Sequence, residues 1–138
     1  MSRSMLFLME QIIVITVFAI CVAVCVRILV ESYLITADAV DTKNALLAAE
    51  SAAESHRAFF GDREMIADIL GGSVNGSGGL SVYFDDNWQA VSPAEASFVL
   101  RLEQTESEVL LSDITVNRIE CGSELIGLTT AVRRAANG

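Results

Sequence analysis

From Met5 to Val26 the chain is apolar at almost every position, broken only by Glu10, Gln11 and Thr16. These 22 residues rise about 33 Å as a helix, enough to cross the hydrocarbon core of a bilayer. The helical pattern does not stop there. Between Arg27 and Phe60 there is neither Pro nor Gly, and residues 45–58 are rich in Ala, Leu and Glu, all strong helix formers. One helix of roughly 55 residues is expected, far above the common length of about 11–12. Its first half is greasy on all sides and its second half is amphipathic. In that second half Leu46, Ala49, Ala53 and Phe60 recur at helical spacing, and Ala45, Ala48, Ala49, Ala52 and Ala53 form a stripe of small residues against which another element can lie close.

Gly61 ends this helix by its freedom at positive φ, and Asp62 is placed to cap a short second one over 63–70, closed by Gly71-Gly72. Met65, Ile66, Ile69 and Leu70 are expected on one face of it. Residues 71–79 hold five glycines and read as a flexible loop. Beyond Gly79 the period changes to two. Leu80, Val82 and Phe84 alternate with Ser81 and Tyr83, Asp85-Asp86-Asn87 is a turn signal, and Trp88–Val91 reads as a return strand, so 80–91 is expected to be a β-hairpin. Phe98, Leu100 and Leu102 mark a longer strand, Gln104–Ser107 a turn, Leu110 to Val116 a strand, Glu120–Ser123 a turn, and Ile126 to Val132 a last strand. The fold class is therefore α+β: a long N-terminal helix continuing into an amphipathic helix that covers one face of a small antiparallel sheet. The organisation is 1–4 as a short leader or cytoplasmic end, 5–30 as a transmembrane segment, 31–60 as the continuing amphipathic helix, and 61–138 as the short helix and sheet.

Charge sharpens the division. The formal net charge is −9, and residues 35–138 carry 16 acids and 7 bases, so the apolar end is neutral and the sheet domain is acidic. Such a surface lacks the clustered Lys and Arg that nucleic acid or anionic lipid requires, and no nucleic-acid contact is expected. Three cysteines make no disulfide framework: Cys21 and Cys25 lie in the apolar run, and Cys121 stands alone in the acidic part. With a single histidine, His56, and no CxxC pair, no metal and no cofactor are expected. The small-x-small pattern Ala37-Asp38-Ala39 lies too far behind the apolar core for signal-peptidase cleavage. The segment is expected to stay as an anchor. Arg3 favours a cytoplasmic N-terminus, while Arg27 marks the other boundary, where its long side chain snorkels beside Glu31.

The charge inside the run matters most. A carboxylate within a membrane segment costs about 2.5–3.5 kcal/mol on insertion scales, so Glu10 needs a partner or a route to water. The stretch Leu6-Phe7-Leu8-Met9-Glu10-Gln11-Ile12-Ile13-Val14-Ile15 resembles the start of type IV pilins and pseudopilins, and the helix-plus-sheet architecture is similar to theirs. The resemblance is strongest to a divergent minor pilin. It implies a structural subunit of a pilus, secretion or DNA-uptake apparatus, with other pilin-like subunits or apparatus proteins as partners, membrane lipid around the helix, and a prepilin-type peptidase acting at Ser4, Met5 or Leu6. It implies that Glu10 meets the terminal amine of a neighbouring subunit, as the fifth residue of a chain starting at Leu6. The domain would then face outward from a cell membrane or sit in a surface filament.

Plainer roles stand beside these. Glu10 near a helix start also suits the macrodipole and headgroup water. His56, with no matching nucleophile in sequence, reads as structural. Asp85 and Asp86 read as a turn before they read as a cation site. Tyr83 and Trp88 would make an aromatic partner patch if exposed together. No phosphate loop or nucleophile elbow is present, and the expected class is non-enzymatic. The alternatives are an uncleaved single-pass accessory protein whose acidic sheet domain binds an envelope partner, and a membrane-tethered enzyme built on His56.

Overall fold

The computed structural model describes residues 2–106 and 109–133. Met1 of the expected leader and Ser107 of the expected turn lie outside the described residues. The chain divides into two compact units, Met1–Val40 and Asp41–Gly138.

Helix α1 spans Arg3–Ala58 and starts where the Ser2 carbonyl accepts from the Met5 amide at 3.0 Å. In the first unit its side chains are exposed on every side. In the second unit Ala45, Ala49, Ala52, Ala53 and His56 are buried. The small-residue stripe is therefore the inner face. Leu46 and Phe60 are not on it: they are 39% and 72% exposed.

The end of α1 differs from the expectation in one residue. Phe60, not Gly61, takes the first left-handed position, with φ of 50° followed by 80° at Gly61. The Gly61 amide bonds the His56 carbonyl at 3.0 Å and the Phe60 amide the Arg57 carbonyl at 3.5 Å. This double closure ties off two of the helix's orphan carbonyls. Helix α2, Arg63–Leu70, follows at once. Asp62 Oδ1 accepts from the Glu64 and Met65 amides at 3.2 and 3.4 Å, and Gly71 ends the helix at φ 69°. Ile66 and Ala67 are its buried residues, whereas Met65 and Ile69 are about half exposed. Of the four residues expected on one apolar face, Ile66 and Leu70 pack on the core, whereas Met65 and Ile69 do not.

Five strands follow in sequence order as an antiparallel meander: β1 (Ser73–Val74), β2 (Leu80–Phe84), β3 (Phe98–Thr105), β4 (Val109–Arg118) and β5 (Glu124–Arg133). The register aligns two core rows across the sheet. One is Val82–Leu100–Val116–Ile126 and the other Leu80–Leu102–Ile114–Leu128. Together with the α1 alanines, Ile66 and Ala67 they make one apolar cluster. The fold is α+β.

Three details correct the alternation pattern. The return strand over 88–91 does not form, and only an isolated bridge joins Phe84 to Ala90. Trp88 adopts φ 58°, which no strand residue can hold. Asp85 accounts for the turn, its Oδ1 accepting from the Asn87 and Gln89 amides at 2.9 Å each. The partner of β2 is β3, reached through a short 3-10 turn at Pro93–Glu95. The glycine-rich loop contains β1, paired to β2 at Ser73↔Ser81 and Val74↔Leu80. Gln104 and Thr105, expected in a turn, belong to β3.

Candidate functional site

The candidate residues fall into separate groups. Arg3, Ser4, Met5 and Leu6 occupy the first turns of α1, and Glu10 lies one to two turns further. All are exposed. Glu10 projects, with Gln11 beside it, from a helix surface otherwise made of Phe7, Leu8, Met9, Ile12, Ile13 and Val14, each of these six more than half exposed. No acidic residue lies in the first turn of the helix, so Glu10 is the first negative charge along α1. Thr16 hides its hydroxyl by donating to the Ile12 carbonyl at 2.8 Å, a bond that removes one polar group from an apolar surface. Arg27 Nε donates to Glu31 at 3.1 Å. Both are well exposed, so this pair contributes little to stability. It closes the neutral charge balance of the apolar part. Helix α1 is long and apolar enough to cross a membrane.

In the second unit, Tyr83 and Trp88 are not brought together. Tyr83 alternates away from Val82 and Phe84 on β2, while Trp88 packs against the core cluster. The indole stacks on Phe98 with centroids 4.4 Å apart and lies 5.7 Å from Phe84. Behind Phe98 sits Arg118, 5.7 Å from the ring, and its guanidinium donates to Asp41 of α1 at 2.7 Å. Phe84, Trp88, Phe98, Arg118 and Asp41 thus lock one end of the sheet to the helix. An open groove of about 400 Å³ runs beside this stack, lined by Asn44, Leu47 and Ser51 of α1, Ile69 and Leu70 of α2, and Val82, Phe84, Leu100 and Trp88.

His56 is the residue whose surroundings the sequence did not disclose. It is fully buried, and its Nε2 lies 2.7 Å from Ser112 Oγ on β4, also fully buried. A histidine and a serine in hydrogen-bond contact would suit nucleophilic catalysis if substrate could reach them. Both side chains are fully buried. Burial, and secondarily the Arg57 guanidinium, hold the His56 imidazole below its ordinary pKa. Asp85 is occupied as a turn acceptor, and among the described residues no three His, Cys, Asp or Glu side chains cluster as metal ligands would. No family model, curated protein or solved structure matches the chain.

Proposed function

We propose that this protein is a non-enzymatic, single-pass membrane subunit of the minor-pilin kind. Its apolar helix assembles with other such helices, and its acidic sheet domain faces away from the cytoplasm. The observation that carries the reading is Glu10, a carboxylate on a helix whose surrounding side chains, Gln11 apart, are apolar and exposed. In lipid that charge is costly. Pairing with the ammonium of a neighbouring chain's N-terminus relieves the penalty on both groups, provided the geometry is good. Arg3 and Arg27 at the two ends of the apolar run support one crossing. Partner subunits, a prepilin-type peptidase and membrane lipid belong to the same reading.

A second reading has its own support. The pilin family has Gly before the cut, and Ser4-Met5-Leu6 stand here instead. An uncleaved anchor, with the sheet domain docking on one envelope partner, accommodates that departure.

The test is the mass of the N-terminal peptide of protein recovered from native membranes, with co-isolation of partner subunits by wild type and by Glu10→Ala. The expected outcome is a chain starting at Met5 or Leu6, and loss of co-isolated subunits in Glu10→Ala with membrane insertion retained. A chain starting at Met1, with co-isolation unchanged in Glu10→Ala, would reject the pilin-like assembly and leave the uncleaved anchor.

A further inference from the structure

The joint between α1 and α2 is held by a buried histidine with half of its ring unsatisfied. His56 occupies the last turn of α1 and is fully buried. Its Nε2 meets Ser112 Oγ at 2.7 Å, while its Nδ1 is buried without a hydrogen-bond partner among the described residues. In the neutral imidazole one nitrogen carries a proton and the other does not. Whichever tautomer is present, Ser112 can serve Nε2, because a hydroxyl both donates and accepts. The bare Nδ1 then costs only the desolvation of a neutral group. In the imidazolium both nitrogens donate, and Nδ1–H becomes a charged donor with nothing to receive it. Removing a charged group from water without a partner is far more expensive than removing a neutral one.

The groups around the ring do not compensate. On α1 the neighbour is Arg57, whose Nε donates to Thr130 of β5 at 3.3 Å. Strand β4 offers the neutral Ser112. Strand β3 offers Gln104, whose amide donates to the Gly61 carbonyl at 3.1 Å and whose oxygen accepts from Arg63 of α2. In the turn, Asp62 is engaged by the Glu64 and Met65 amides. A methyl group at Gly61 would overlap Leu110 of β4 and come near His56 Nε2, so the turn lies flat against the strand with no slack. The cations nearest this joint are Arg57 and Arg63, and a third positive charge inside it meets repulsion.

We infer that the joint over residues 56–62 is an acid-sensitive latch: proton uptake by His56 releases the end of α1 and the following turn from Gln104, Leu110 and Ser112 while the two core rows stay packed. The opening is local because the latch is one turn, closed by three backbone hydrogen bonds within it (Phe60 to Arg57, Gly61 to His56, Asp62 to Phe59) and tied to the strands by three more, between Arg57 and Thr130, Gln104 and Gly61, and His56 and Ser112. Segments of this kind open at lower free energy than the sheet. The sign follows from linkage. The folded imidazole titrates below its ordinary value, so the open form binds more protons. The closed joint is fully favoured above the unperturbed pKa near 6.5 and loses that advantage as pH falls through the folded pKa.

The chain has one histidine, so its imidazole proton signals belong to His56 without assignment. The experiment is hydrogen exchange on the full chain in detergent micelles at pH 7.5 and 5.0, corrected for intrinsic rates, beside the imidazole titration. Exchange at 56–62 and 110–112 is expected to accelerate, up to about 30-fold at pH 5.0, the limit set by an open-state pKa near 6.5. The midpoint should follow the His56 titration, and the acceleration should vanish in His56→Gln. An imidazole that titrates at or above 6.5, no acceleration, or equal acceleration in His56→Gln would overturn the latch. Should His56→Gln fail to fold, the wild-type comparison decides alone: coincident midpoints support the latch, and separate midpoints refute it.

Discussion

Replacing Ala49 by Leu sets two effects of opposite sign against each other. Ala49 is fully buried within the cluster that joins α1 to the rows of β2, β3 and β4. Leucine adds three carbons. If apolar area were all that mattered, burying them would stabilise the domain by about 2.4 kcal/mol at ~0.8 kcal/mol per carbon. The structure argues the reverse. A helix that packs through Ala45, Ala49, Ala52 and Ala53 presents almost no side-chain depth, and the Leu and Val rows occupy the space opposite. Close-packed interiors hold no void for three carbons, and overpacking typically costs about 1–3 kcal/mol. The expected net effect is therefore a loss of about 1–3 kcal/mol, or a fall in Tm of roughly 4–8 °C per kcal/mol for a domain of this size. Leu46→Ala is the control: Leu46 is 39% exposed, and its truncation is expected to cost about 0.5 kcal/mol or less, as for most exposed sites. Urea unfolding of the full chain in micelles, followed by the fluorescence of its single tryptophan, gives both numbers. That tryptophan is stacked on Phe98 and reports on the packed state. An Ala49→Leu protein as stable as wild type, or a Leu46→Ala protein weaker than Ala49→Leu, would refute the close-packing argument.

Two further outcomes concern the turn between the helices. Gly61→Ala combines a positive φ of 80° with a methyl group that overlaps Leu110; it should destabilise by about 2 kcal/mol or more, from overpacking and left-handed strain together, seen as a lower urea midpoint with unchanged slope. Phe60→Gly should act the other way. Phe60 is 72% exposed and holds φ 50°, so glycine relieves roughly 1–2 kcal/mol of left-handed strain against a backbone-entropy cost of about 0.5–1 kcal/mol; thermal unfolding should show an equal or higher Tm, and a drop beyond 4 °C would count against the strain reading.

The parts of the fold that the chain announces are those fixed by local chemistry. Helix α1 follows from the missing Pro and Gly, and α2 from Asp62 and Gly71, because caps act within four residues. Strands β3, β4 and β5 follow from alternation, since each has one face on the core. What misleads is the connection after β2. Asp85-Asp86-Asn87 does turn the chain, but Asp85 also holds the Gln89 amide, and that wraps the backbone around Trp88 rather than starting a strand. Nothing local distinguishes the two outcomes. At the candidate site, Glu10 is visible because its neighbours are apolar, an argument needing no tertiary contact. The His56–Ser112 pair spans 56 residues and becomes visible only once the register of β4 is known. Leu46 and Phe60 share the helical spacing of Ala49 and Ala53, yet the small stripe is the buried face and they lie outside it.

The strict nearest-neighbour order of the strands sets a timetable for biosynthesis. Helix α1 precedes every strand, so its alanine face is made before anything exists to cover it. Each strand from β2 onward pairs with the one just before it, and the sheet can grow hairpin by hairpin as the chain emerges, with short loop closures at each step. The alanine face is shielded only when β3 and β4 have joined β2. Until then it is a smooth, weakly hydrophobic helix surface, poor in large side chains for misplaced contacts to grip, and the same small residues that allow close packing at the end limit mispairing on the way.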